Sequence, residues 1–167
     1  MEKESKKNKK KYIMIGVVVA LILLDQAFKI FITTSLFEKS MDIIPGILKF
    51  SYVENRGMAF GMGNSSTVGF IVTNIIVLGI IIKFTMSQQD RIDTKTNAVI
   101  CLVLAGGFSN LIDRIFRGFV VDFIDITPLF QFPVFNIADI CIVVGWFLLV
   151  LFIAIYTYKE VIQKKQK

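Results

Sequence analysis

Histidine is absent from the 167 residues, and cysteine, proline and tryptophan are scarce at two, three and one. Without an imidazole there is no Ser/His or Cys/His nucleophile pair and no HExxH zinc site, so proton-transfer chemistry falls to carboxylates, Lys, Tyr or Cys. Cys101 and Cys141 stand inside apolar stretches with no CxxC spacing, which suits small buried hydrophobes. Charge is thin as well: 19% of residues are charged against 54% apolar, with a mean hydropathy of +0.67. A soluble domain rarely carries so positive a value, so a membrane protein is expected.

What the chain has is long apolar runs. Four of them, at about 12–33, 68–84, 97–115 and 136–158, approach the roughly 17–25 residues that a helix needs to cross a bilayer. The expected fold class is an all-α membrane protein, one domain over 1–167, with four transmembrane helices between a basic tail at 1–11 and a second tail at 159–167. A secretory signal is the alternative for the first run. It is followed by Asp25, Gln26 and Lys29 rather than a small-residue cleavage site, and three further runs come after it.

If all four helices cross, the N-terminal tail, the middle loop and the C-terminal tail share one side and carry six, three and four basic residues. The other side receives six basic residues, among them Lys29, Lys39, Lys49 and Arg56, against eight acidic ones. The positive-inside rule then places both termini in the cytoplasm. A lysine tail beside a span is adequately explained by anionic lipid, so no nucleic-acid partner is inferred from it.

In the first outer loop, Leu48, Phe50 and Tyr52 alternate with Lys49 and Ser51, which predicts a short strand with one apolar face. Pro45 and Gly46 precede it, Asn55-Arg56-Gly57 supplies a turn after it, and an apolar segment at 58–62 continues outside any span. An amphipathic sheet lying on the membrane surface would bury such a face. The second outer loop, 114–135, reads as a Phe-rich connection carrying Asp122 and Asp125.

Asn110 and Asp113 are three residues apart near the end of the third span, and Asn136 and Asp139 repeat that spacing where the fourth begins. The connection puts the two faces at similar depth and can return Asp122 to the side of Asp139. Ionisable residues at membrane depth are costly and point to function. Two close carboxylates cannot both ionise cheaply, so such a pair holds one proton and offers a base and an acid together. Interfacial acids solvated by water, or paired with Arg114 and Arg117, remain the alternative from spacing alone. A proton-coupled transporter would instead spread acids through the span centres, and a scaffold would not require the matched Asn-x-x-Asp pairs.

The elements Asp25-Gln26-x-x-Lys29, Asn55-x-Gly57-x-Ala59-Phe60, Gly106-Gly107-x-x-Asn110-x-x-Asp113-Arg114, Val121-Asp122-Phe123-Ile124-Asp125 and Phe135-Asn136-x-Ala138-Asp139 follow one another along nearly the whole chain. Together they resemble the five motifs of bacterial lipoprotein signal peptidase, or signal peptidase II. The resemblance implies an intramembrane aspartic endopeptidase that cuts signal peptides from diacylglyceryl-modified prolipoproteins just before the lipidated cysteine. It also implies four transmembrane helices with a small extracytoplasmic β-sheet cradle, and a multi-pass place in the bacterial cytoplasmic membrane with the active site near the outer face. Asp122 and Asp139 become the catalytic pair. Asn110, Asp113, Arg114 and Asn136 become supports for the pair and the substrate backbone, while Asp25, Lys29, Asn55 and Gly57 become structural or substrate-contacting positions. No metal and no cofactor is implied. Prolipoprotein, membrane lipid and globomycin-type peptide inhibitors are the implied partners, and a monomer is expected.

Two departures from the family pattern stand out: Ser109 where Gly is usual, and Met58 where a small residue is common. They bear on helix spacing and on substrate fit. Simpler roles are expected elsewhere: Asp25 and Lys29 as an ion pair at an interfacial helix end, Gly106 and Gly107 as close-packing residues, Asp125 as a loop or capping acid, and Trp146 as a packing residue.

Overall fold

The computed structural model describes residues 2–57, 66–88 and 92–165. In chain order the elements are α1 (Glu2–Ser35), β1 (Ser40–Ile44), β2 (Leu48–Asn55), α2 (Ser66–Ser87), α3 (Thr94–Phe116), β3 (Val120–Asp125) and α4 (Ile137–Lys165). Stretches at Lys11–Ser35, Thr67–Ser87, Thr94–Phe116 and Ile137–Tyr158 are long and apolar enough to cross a membrane. The third begins earlier than its apolar run because Asp93 caps it, accepting a 2.8 Å bond from the Thr96 amide.

Burial is uneven in a way that fits lipid rather than water. In α3, 61% of the spanning window is buried, against 17% in α1, 6% in α2 and 17% in α4. Small residues make α3 the hub, since without a hydrophobic force between helices close backbone approach must supply the packing. A Cβ added to Gly106 would lie 2.3 Å from the Ala138 carbonyl oxygen on α4, and one added to Gly107 would lie 2.7 Å from Leu78 Cδ2 on α2. Val68, Ile80, Val143 and Phe147 point outward, as does Trp146 at 43% exposure. The expected packing role for Trp146 is thus corrected: its face of α4 turns toward lipid.

The sheet is antiparallel in the order β1-β2-β3. The alternation at Leu48–Tyr52 marked only its central strand. Residues 120–125, read as part of a loop, form β3. That strand is buried along nearly its whole length, so it lacks the in-out alternation that would have revealed it. Phe123 stacks on Phe28 of α1 with centroids 6.0 Å apart and meets Phe50 of β2 edge-on at 5.7 Å. With Ile32, Leu36 and Val121 it forms a core that fastens the sheet to the C-terminal end of α1.

Candidate active site

β3 is tied to the segment entering α4 by a bridge between Ile124 and Phe135, with bonds of 2.7 Å from Ile124 N and 3.1 Å from Phe135 N. Asn136, the next residue, caps α4. Its Oδ1 accepts from the Asp139 amide at 2.8 Å, and Asp139 Oδ2 accepts from the Asn136 amide at 3.1 Å. This reciprocal box satisfies two helix-terminal donors and fixes the Asp139 carboxylate by the same act. The Asn136 amide group also donates to Asp122 Oδ1 at 2.7 Å. One asparagine therefore holds both carboxylates, Asp122 from the sheet and Asp139 from the helix.

Each acid is gripped a second time. Asn55, at the end of β2, donates to Asp122 Oδ2 at 2.8 Å, and its Oδ1 accepts from the Gly57 amide at 2.9 Å. Gly57 has φ +74°, and a Cβ there would fall 2.2 Å from Phe70 Cε2 on α2, so this turn requires glycine. Asn110 donates to Asp139 Oδ1 at 2.7 Å, while its own Oδ1 accepts from Asn136 at 3.2 Å and from Lys29 at 2.9 Å. Asp122 is 1% exposed. Burial, reinforced by the charge of Asp139, pushes its carboxyl up to about 6 against the bonds from Asn55 and Asn136.

Behind the pair lies a second polar layer that the interfacial ion-pair expectation does not describe. Lys29 is fully buried, and its ammonium meets Asp25 Oδ2 at 2.7 Å, Asp113 Oδ2 at 2.9 Å and Asn110 Oδ1. Those three acceptors match its three protons, the condition under which a buried charge is tolerated. Asp25 Oδ1 accepts from the Ala138 amide at 3.0 Å, and Asp113 accepts from Gln26, from the Val121 amide and from Arg117. Ser109 does more than occupy a glycine site: its hydroxyl donates to Asp25 at 2.6 Å and accepts from Gln26 at 3.0 Å. Arg114 lays its guanidinium over the Phe70 ring at 5.2 Å, with its charge facing Asp139, Asp122 and Asp113.

All ten residues singled out from the sequence thus converge on one end of the bundle, and of the two arginines at the end of α3 it is Arg117, not Arg114, that forms an ion pair with an acid. Asp125 lies apart, as a capping acid: its Oδ1 accepts from the Thr127 amide and hydroxyl, and its Oδ2 meets Lys49 at 3.3 Å. Burial would raise its carboxyl, but those bonds and that of Ser51 outweigh it and hold it below the usual range. Met58 lies outside the described residues. Phe70 carried no role in the sequence reading, Gln26 stood there only as a motif residue, Ser109 only as a departure bearing on helix spacing, and Arg117 only as an alternative partner for the acids; an amide or hydroxyl deep in a span was the available signal for Gln26 and Ser109.

The family model for signal peptidase II matches residues 17–155. The chain belongs to the signal peptidase II family. As a member it is a peptidase. It is 36% identical over 152 residues to the lipoprotein signal peptidase of Lactococcus lactis subsp. cremoris MG1363, covering 90% of this chain and 98% of that one. The lipoprotein signal peptidase of Caldanaerobacter subterraneus is 40% identical over 134 residues, covering 78% and 88%. Among solved structures, a bacterial membrane enzyme determined by the in meso method at 1.9 Å resolution superposes with a TM-score of 0.78 at 30% identity, covering 84% of this chain and 91% of that one. In this signal peptidase II family member the matched region spans every residue of the site.

Proposed function

We propose that this peptidase removes the signal peptide from diacylglyceryl-modified prolipoproteins, cutting before the lipidated cysteine, with Asp122 and Asp139 acting as an aspartic pair. The observation that carries the proposal is the double hold of Asn136, which donates from its side chain to Asp122 and from its backbone to Asp139. Two carboxyls sharing one donor residue in a buried site do not both ionise cheaply, so the pair keeps a single shared proton over its working range. The ionised member takes a proton from water as the water oxygen attacks the scissile carbonyl, and the protonated member gives its proton to the carbonyl oxygen. The resulting tetrahedral diol collapses as a proton passes to the departing amine, the C–N bond breaks, and the pair returns to its single proton. No metal, cofactor or covalent intermediate takes part. Asn55, Asn110 and Asn136 hold the acids without adding charge, and Arg114 is left to face the substrate backbone. The two lipid chains anchor the substrate at the depth of the pair, so binding energy far from the scissile bond positions it.

The distribution of Lys and Arg supports cytoplasmic termini and a site near the outer face of the cytoplasmic membrane. One domain acting as a monomer suits a site supplied wholly by one chain. The test is cleavage of a diacylglyceryl-modified prolipoprotein in detergent by wild type, Asp122→Asn and Asp139→Asn, with the unlipidated precursor as control. Cleavage of the lipidated substrate alone, lost in both variants, is expected. Cleavage by either variant at the wild-type rate would remove that residue from the pair.

A further inference from the structure

One amide in the bundle belongs to neither polar layer. Asn74 sits inside α2, within the apolar span Thr67–Ser87, four residues from Phe70 and four from Leu78. Helical spacing stacks these three side chains along one face of α2, each about 6 Å from the next. The two outer members fix where that face looks. Phe70 lies under the Arg114 guanidinium and against Gly57, and Leu78 lies against Gly107 of α3. α2 and α3 run antiparallel, so Asn74 falls opposite the middle of the interval from Gly107 to Arg114, the level of Asn110. Asn110 is the residue that holds Asp139.

Asn74 is partly exposed, and no hydrogen-bond partner meets its side chain among the described residues. In hydrocarbon an amide without a partner is expensive, and polar groups retained at that depth are retained for function. Every other asparagine at this level has its bonds filled from within: Asn55, Asn110 and Asn136 each meet a carboxylate. Asn74 differs by standing on α2, one turn from the Phe70 that meets Arg114 and Gly57, with donor and acceptor both open.

We infer that Asn74 is a substrate-positioning residue, whose side-chain amide pairs with the peptide backbone of the signal-peptide segment from the α2 side while the carboxyl pair acts from the α3–α4 side. An extended peptide has one N–H and one C=O per residue to offer, which matches an amide's single acceptor and donor set. The inference rests on the peptidase proposal above. It adds a wall to the site that the five motifs do not contain.

The experiment compares wild type with Asn74→Leu, a near-isosteric change that removes both bonding groups, on the lipidated prolipoprotein and on versions carrying a single backbone ester on the signal-peptide side of the cleavage point. Thermal unfolding in detergent is measured in parallel. Removing a hydrogen bond of this kind is expected to lower kcat/KM about tenfold. Unfolding temperature should stay level or rise, because an unpaired amide leaves the membrane. One ester position should slow wild type by a similar factor and leave Asn74→Leu unaffected. Unchanged kinetics would overturn the inference, including the case where the variant changes only particle mass in detergent, which would make Asn74 a contact between copies. Parallel losses of activity and unfolding temperature with no ester-specific effect would also overturn it, by making the role structural. If wild type itself leaves the lipidated substrate uncut, the peptidase proposal fails first and this inference falls with it.

Discussion

Replacing Asp122 by Asn removes a carboxyl whose ionisation the fold resists. Burial and the neighbouring Asp139 charge move it from 3.8 to about 6, a rise worth about 3 kcal/mol at roughly 1.36 kcal/mol per pH unit. Because the folded value is the higher one, the stability it confers is intact below pH 3.8 and is lost as pH climbs through 6. Working the linkage at two pH values, about 1 kcal/mol is already lost at pH 4.5 and about 3 at pH 7.5, a difference of about 2. Asparagine does not titrate and so escapes that loss. It has its own cost: one of the donors from Asn55 and Asn136 would face an NH2 group, at about 1–3 kcal/mol. That cost is the same at both pH values and cancels in the difference. Thermal unfolding of both proteins in detergent at pH 4.5 and 7.5 reads the result directly. The variant should gain on wild type by roughly 4–8 °C between the two, the shift that about 2 kcal/mol gives in a protein of this size. A difference that stays constant, or shrinks as pH rises, would refute the assignment of a raised carboxyl at residue 122.

Further outcomes follow from the same geometry. The pH profile of kcat/KM should be bell-shaped, with an alkaline limb near 6 set by loss of the shared proton from the pair containing Asp122; a profile flat from about pH 5 to 8 would contradict that pair. Lys29→Met strips the cation from between Asp25 and Asp113 and should destabilise by about 3–5 kcal/mol, with partial recovery when Asp25→Asn is added, as read by unfolding in detergent. Gly57→Ala should cut activity at least tenfold by driving a Cβ into Phe70 and disturbing the Asn55 hold on Asp122, about the loss one charge-assisted bond would give. Gly46→Ala, at φ +75° with nothing within 4 Å, should cost only backbone strain of about 1–2 kcal/mol and leave cleavage rates alone.

Much of this site could be read before any coordinates because its spacing is local. Asn110 and Asp113, or Asn136 and Asp139, share a face by helical geometry wherever the helices go. The capping box at Asn136 is equally local and was readable in principle from an Asn followed three residues later by an acid at a span's start. β3 was not readable, because a strand enclosed on both faces shows no alternation and VVDFID passes for loop. Nor was the fate of Lys29. Its partner Asn110 lies 81 residues away, and only the close approach of α1 to α3 decides between an interfacial ion pair and a sealed one. Ser109 shows the same limit: a departure from a glycine pattern reads as bulk, whereas its hydroxyl joins Gln26 to Asp25.

The polar layer around Lys29 is saturated: no buried side-chain nitrogen or oxygen among the described residues lacks a partner. A saturated network has little room for heritable variation, because changing one member strands another, and several must change together before either is satisfied. Under selection by a compound that occupies the cleft, escape substitutions should therefore gather away from Asp25, Lys29, Ser109 and Asp113.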